Sequence, residues 1–163
     1  MDKTVFDAMN EHINYEFYSG YIYLGLAFQM EKKNYKGFAK WLEKHYEEEL
    51  SHARDFINFM IKRDQSPVLL DIKMENFDDV CEPLEVAKKI YEHEKKVTAT
   101  IYKLHDMAKK ADDYATEIFM HKYIAEQTEE EDITKNIVDM FTLAGDDMGA
   151  RVQMDRMLGR KAQ

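Results

Sequence analysis

Glu49 and His52 stand three residues apart in the run Glu49-Leu50-Ser51-His52. On a helix that spacing puts a carboxylate and an imidazole on one face, one turn apart, and the two together suit a metal ion. Taken alone, Glu-x-x-His is more often an exposed ion pair or cap. Here its neighbours set it in an apolar seam: Phe38, Leu42, His45, Glu49, His52, Phe56 and Phe59 follow at steps of three and four, the period of one buried helical face. A charge at a core position is costly unless it is paired or bound to a metal. Three further seams repeat the anomaly. Glu16 interrupts Met9, Ile13, Gly20, Tyr23, Ala27 and Met30; Glu94 interrupts Leu84, Ala87, Tyr91, Thr98, Ile101, His105 and Ala108; Gln127 and Glu130 interrupt Met120, Tyr123, Thr134, Ile137 and Phe141.

The spacing between these groups also repeats. Glu16 precedes Glu49 by 33 residues, and Glu94 precedes Gln127 by 33, so the chain reads as two copies of one helical hairpin with little residue identity between them. Folding the hairpins face to face gathers the six polar groups at one level. Carboxylates so close cannot all stay ionised without cations among them. Two metal ions bridged by a shared carboxylate resolve the repulsion, and oxygen-rich ligands with one imidazole suit iron or manganese rather than a thiolate-bound structural zinc. Di-iron bundles take one Glu from each of two helices and a Glu-x-x-His from each of the other two. This sequence departs once, with Gln127-x-x-Glu130, which weakens the second metal position and sets it apart from the first.

The elements that must hold these groups are helices. With two prolines, six glycines and 34% charged residues, the composition favours long helices over a turn-rich β fold, and 163 residues suit a single domain of residues 1–163 with a sizeable core. The periodicity predicts helices over about 4–33, 37–62, 83–110, 113–143 and 147–158, the third opened by Pro83 and the fourth closed by Gly145. Residues 64–82 break the period and include Ser66-Pro67, marking an extended connection. Fully stretched, these residues reach roughly 60 Å, whereas a helix of about 26 residues spans only about 40 Å. The connection can therefore return along the whole bundle and leave the second and third helices parallel. The fifth helix is expected on the bundle end or against another subunit.

The net charge of −9 argues against nucleic acid as a partner, since phosphate binding needs clustered Lys and Arg. No window approaches eighteen uninterrupted apolar residues, so no membrane partner is expected, and residues 1–7 have no signal-peptide character. One cysteine, Cys81, forms no internal disulfide and no four-cysteine site, which suits the cytoplasm. Gly-rich phosphate loops, nucleophile elbows and His-Glu-x-x-His are absent. No motif for organic chemistry is present.

Four motifs in order carry a resemblance. Asn14-Tyr15-Glu16-Phe17-Tyr18-Ser19, Glu48-Glu49-Leu50-Ser51-His52-Ala53, Glu92-His93-Glu94 and Ala125-Glu126-Gln127-Thr128-Glu129-Glu130-Glu131, together with Leu143-Ala144-Gly145 and the tail Gln153 to Gly159, make the chain similar to the non-haem bacterial and archaeal-type ferritins over nearly its whole length. The resemblance implies an all-α, ferritin-like four-helix bundle with one long crossover and a short fifth C-terminal helix. It implies iron storage with ferroxidase activity: Fe(II) oxidised by O2 or H2O2 and Fe(III) mineral stored in a hollow homo-oligomer of 24 subunits, with helices of the fifth type lining fourfold channels. In that family the residues matching Glu16, Glu49 and His52 hold the first iron, Glu49 bridging; those matching Glu94 and Glu130 hold the second, beside Gln127. A third iron position uses residues matching Glu48, Glu126, Glu129 and Glu130.

Tyr23 lies two turns from Glu16 and is a candidate to hydrogen-bond a ligand or donate an electron, though a seam tyrosine is more often core. Some relatives carry tryptophan where Lys122 stands, which removes that electron source here. The absent fourth-helix Glu-x-x-His argues against a haem-binding bacterioferritin, so no haem is expected. His12, His45, His93, His105 and His121 lack a second ligand at convincing spacing and read as structural or exposed. A rubrerythrin-like peroxidase would need a Cys-x-x-Cys module that one cysteine cannot build, a bundle serving only as a shell would have lost ligands, and DNA-coating mini-ferritins place their ligands differently.

Overall fold

The computed structural model describes residues 1–162. They form α1 (Lys3–Lys32), α2 (Lys36–Lys62), α3 (Pro83–Lys110), α4 (Tyr114–Ala144) and α5 (Met148–Lys161). Local chemistry starts and stops these helices. Asp2, Asp113 and Asp147 each cap an N-terminus by accepting a backbone N–H, while Pro83 opens α3. Asn34, Asp64 and Asp112 follow the ends of the first three helices with positive φ, a conformation that Asn and Asp adopt more readily than other side chains. The fifth helix runs to Lys161, three residues past the expected end; Leu158 is buried, and Arg160 and Lys161 suit the negative end of a helix dipole.

Side-chain neighbours set the directions. Glu16 faces His52 and Tyr23 faces His45, so α1 and α2 are antiparallel. His12 meets Thr100 and Ser19 meets His93, so α1 and α3 are antiparallel as well. The second and third helices are therefore parallel, and the segment between them travels along the bundle. Asn10 and Asn14 on α1 hold it there: Val68 N–H donates to Asn10 Oδ1 at 2.6 Å and Leu70 N–H to Asn14 Oδ1 at 2.7 Å. Phe77 lies against Gly25, where a Cβ would come within 2.6 Å of the ring.

The fifth helix packs across the bundle end. Phe38 N–H donates to Asp155 Oδ1 at 2.8 Å, and a Cβ on Gly37 would fall 1.9 Å from the Asp155 carbonyl oxygen, so only glycine allows this crossing. Met154 and Leu158 are buried there, while Leu143, Met148 and Val152 remain exposed. Among the described residues no helix is long and apolar enough to cross a membrane.

The apolar interior is divided in two. One cluster, including Leu26, Met30, Phe38, Leu42, Ile90 and Phe141, fills the end nearest α5. The other, including Val5, Met9, Phe56, Met60, Ile101 and Met120, fills the opposite end. Glu16, Glu49, Glu94 and Gln127, all buried, lie along their helices between the two.

Candidate metal centre

The first hairpin brings its three groups together. The ligand atoms of Glu16, Glu49 and His52 lie within 4.8 Å of one another. His52 Nδ1 is 3.4 Å from Glu49 Oε2 and 4.0 Å from Glu16 Oε2. Glu16 is 1% exposed and Glu49 7%, yet Glu16 Oε2 has no hydrogen-bond partner. A buried carboxylate oxygen without a donor is rare and costly; a cation among these groups satisfies it.

The second hairpin is built differently. Glu94 is also 1% exposed, but both its oxygens are engaged: Tyr23 Oη donates to Oε1 at 2.6 Å and Gln127 Nε2 donates to Oε2 at 3.0 Å. Glu130 joins a separate grouping with His45 and Glu48, its Oε2 buried without a hydrogen-bond partner and 3.6 Å from His45 Nε2. A third grouping joins Glu48, His52 and Glu126, with His52 Nε2 3.4 Å from Glu126 Oε1 and Glu126 Oε2 again without a partner. Glu129 is exposed and enters none of these groupings. At 100° per residue it is turned about 60° from Glu126 and 100° from Glu130.

Electrostatics follows from burial and crowding. Burial, with Glu16 beside it, raises the Glu49 carboxyl well above the usual range, and burial raises Glu16 too. Glu94 is pushed up to about 8, by burial first and then by the charge of Glu49. Burial would lower the His52 imidazole, but hydrogen bonds to Glu126 and Glu49 and the charge of Glu16 outweigh it and raise His52 to about 11. Without metal, Glu16, Glu49 and Glu94 thus hold their protons above the usual carboxylate range beside the His52 imidazolium. Cations replace those protons, so metal binding here releases them.

Two histidines expected to be structural contact this layer. His12 is buried with Nε2 2.6 Å from Glu16 Oε1, and burial lowers its imidazole to about 4. His45 is buried against Glu130, its Nδ1 2.9 Å from the Trp41 carbonyl oxygen. The only sequence signals were the four-residue step from His12 to Glu16 and the three-residue step from His45 to Glu48. His93 is buried and bonded to Ser19 Oγ at 2.8 Å, a structural role. Lys122 is exposed and pairs with Asp55 at 3.1 Å.

Fold and centre together define a four-helix bundle that turns carboxylates and imidazoles inward to handle metal. A family model described as a ferritin-like domain matches residues 6–144. The chain is 35% identical over 144 residues to a bacterial non-heme ferritin of Bacteroides fragilis, covering 86% of this chain and 87% of that protein. It is 27% identical over 161 residues to the one of Staphylococcus aureus, covering 99% and 96%. Its structure matches that of an open-pore ferritin from the archaeon Archaeoglobus fulgidus with a TM-score of 0.93 and 34% identity, covering 98% of both chains. The chain belongs to the ferritin family, among the non-haem ferritins of bacterial and archaeal type. It is an iron-storage protein that works within an oligomeric shell.

Proposed function

We propose that the mid-bundle centre is a ferroxidase site taking two Fe(II) ions as its substrate. Glu16, Glu49 and His52 hold the first ion. Glu49 bridges to the second, which Glu94 and Glu130 hold with Gln127 beside it. The observation that carries this reading is the set of partnerless buried oxygens on Glu16, Glu126 and Glu130, in a layer walled by apolar clusters on both sides. O2 or H2O2 takes the two electrons, one from each Fe(II), and the acidic groups favour the Fe(III) product because hard oxygen ligands and negative charge stabilise the higher oxidation state. Tyr23, donating to Glu94, orients that ligand. Glu48, Glu126 and Glu130 form a third iron position, with the exposed Glu129 outside it, from which Fe(III) passes to mineral inside a shell of 24 subunits. Cys81 as a lone thiol suits a cytoplasmic setting.

The test is to load metal-free shells anaerobically with Fe(II), admit air and follow the oxidation transient and final iron content. Rapid oxidation followed by storage well beyond two irons per subunit is expected. In Glu49→Ala and His52→Ala the rapid phase should vanish while the shells still assemble. Unchanged rates in both variants would refute the assignment, and uptake that stops at two irons would point to a redox enzyme.

A further inference from the structure

We propose that the cleft between α1, the crossover and α3 is a binding site for a mononucleotide, a flat nitrogen heterocycle carrying one phosphate. Its cavity volume of about 510 Å³ falls in the range of roughly 300–1,000 Å³ in which small ligands are held. Two unlike sets of side chains line it. Tyr15, Tyr18 and Ile22 come from α1 at steps of three and four, and Lys88, Glu92 and Lys96 come from α3 at steps of four, so each set shares one helix face. The Tyr15 and Tyr18 ring centroids are 5.8 Å apart at 32°, and the His93 ring stands 5.6 Å from Tyr15 at 37°. Aromatic faces of this kind stack against any heteroaromatic base.

Counting protons fixes what His93 offers to such a base. The Ser19 hydroxyl donates to the Tyr15 carbonyl oxygen at 3.0 Å, so its one proton is already used. The 2.8 Å contact between His93 Nε2 and Ser19 Oγ is therefore an Nε2–H donating to Ser19. His93 is 5% exposed, and burial, with the ammonium charge of Lys96, lowers its imidazole to about 4. The ring is thus neutral, and Nδ1 keeps a lone pair that no donor reaches among the described residues. An acceptor left unpaired in a buried side chain is costly, and the exocyclic amine or ring N–H of a base satisfies it.

The charges along α3 favour the phosphate. Lys89 pairs with Glu75 at 2.6 Å and Lys95 with Glu92 at 2.6 Å, so these four cancel. Lys88 and Lys96 have no ion-pair partner among the described residues, and they leave the cleft positive on a chain whose net charge is −9. Their Cα atoms are about 12 Å apart at helical rise, a span that two lysine side chains can close around one phosphate. Ring and phosphate together, and neither alone, match what lines the cleft.

The test is calorimetric titration of assembled, metal-free protein with adenosine 5′-monophosphate and flavin mononucleotide, two phosphorylated rings of different size. Inorganic phosphate and adenosine, each carrying half of the chemistry, are titrated beside them. At least one nucleotide should bind once per subunit and at least about tenfold more tightly than phosphate or adenosine. Lys88→Ala/Lys96→Ala should weaken it by about tenfold or more, as expected for a lost hydrogen bond to a charged group. Tyr18→Leu should weaken it by about tenfold through lost stacking and leave phosphate affinity unchanged. In crystals, difference density for the bound nucleotide should lie between α1 and α3. None of these readouts depends on iron, so the site stands or falls apart from the ferroxidase reading. Nucleotide affinity no greater than that of phosphate would overturn the proposal. So would affinity unchanged by both sets of substitutions, or nucleotide density found only elsewhere.

Discussion

The two hairpins contribute to one polar layer but prepare it in different ways. In the first, Glu16 and Glu49 are buried against His52, and Glu16 keeps one oxygen without any donor. In the second, Glu94 is bonded on both oxygens by Tyr23 and Gln127, and Glu130 turns toward His45 and Glu48. Without metal, Glu16 in the first half keeps one oxygen without a donor, whereas its counterpart Glu94 in the second is satisfied on both oxygens, the partnerless oxygens of that half lying farther along α4 on Glu126 and Glu130. Binding at the second position must break or share bonds that already exist. The difference teaches that sites symmetric in spacing can be unequal in affinity, because affinity depends on what the ligands are already bonded to.

The sharpest way to break this comparison is to remove one ligand from each half. Glu16→Ala should abolish tight binding of the first Fe(II) and slow rapid oxidation by about 100-fold or more, as loss of a direct ligand should exceed the 10–100-fold cost of losing an outer partner. Glu94→Ala should keep one tightly bound Fe(II) per subunit in anaerobic titrations. Equal losses in both variants would show that the halves are not distinct.

A smaller effect is expected from Tyr23→Phe. It removes the 2.6 Å bond to Glu94 in a dry setting, where a hydrogen bond to a charged group contributes about 1.5–3 kcal/mol. Stopped-flow oxidation should slow by roughly tenfold, with the change confined to the second iron.

The pH dependence of the metal-free protein comes next. Glu94 titrates near 8 when folded, against 4.5 for the free group, so the folded state holds the extra proton and the associated stability is lost as pH rises through that range. His12 and His93, lowered to about 4, work the other way but only below about 6.5, where the unfolded imidazoles gain charge. Between pH 6.5 and 8 the melting temperature of metal-free protein should therefore fall by a few degrees. Bound metal or Glu94→Gln should flatten the slope, as measured by calorimetry; an equal slope with and without metal would count against a shared-proton layer. The smallest change is expected from Gln127→Leu, which removes a single neutral donor and should alter oxidation only a few-fold.

Much of this was legible in the linear chain. Glu16, Glu49, Glu94 and Gln127 each break a three-four apolar rhythm, and all four are buried. The long connection after Arg63 and the antiparallel hairpins also followed from residue spacing. Other features were not readable. In the run Glu129-Glu130-Glu131 the sequence does not say which carboxylate faces inward, since that depends on how α4 is rotated, and Glu129 is exposed while Glu130 is half-buried. His12 and His45 sit at ordinary core spacing, and only their distances to Glu16 and Glu130 separate them from filler. His105 lies across a turn from Glu117 and His121, so no single-helix period links all three members of that cluster.

Periodicity within one helix records which side chains share a face, because 3.6 residues per turn is a local property of the backbone. By that rule the sequence by itself determined the helices, their buried seams and the acids placed in them. Which oxygens are left without a donor, which histidines reach them and where a second cluster assembles depend on how each helix is rotated and shifted against the others. Side-chain packing across the whole bundle sets those offsets, and only the tertiary structure decided them.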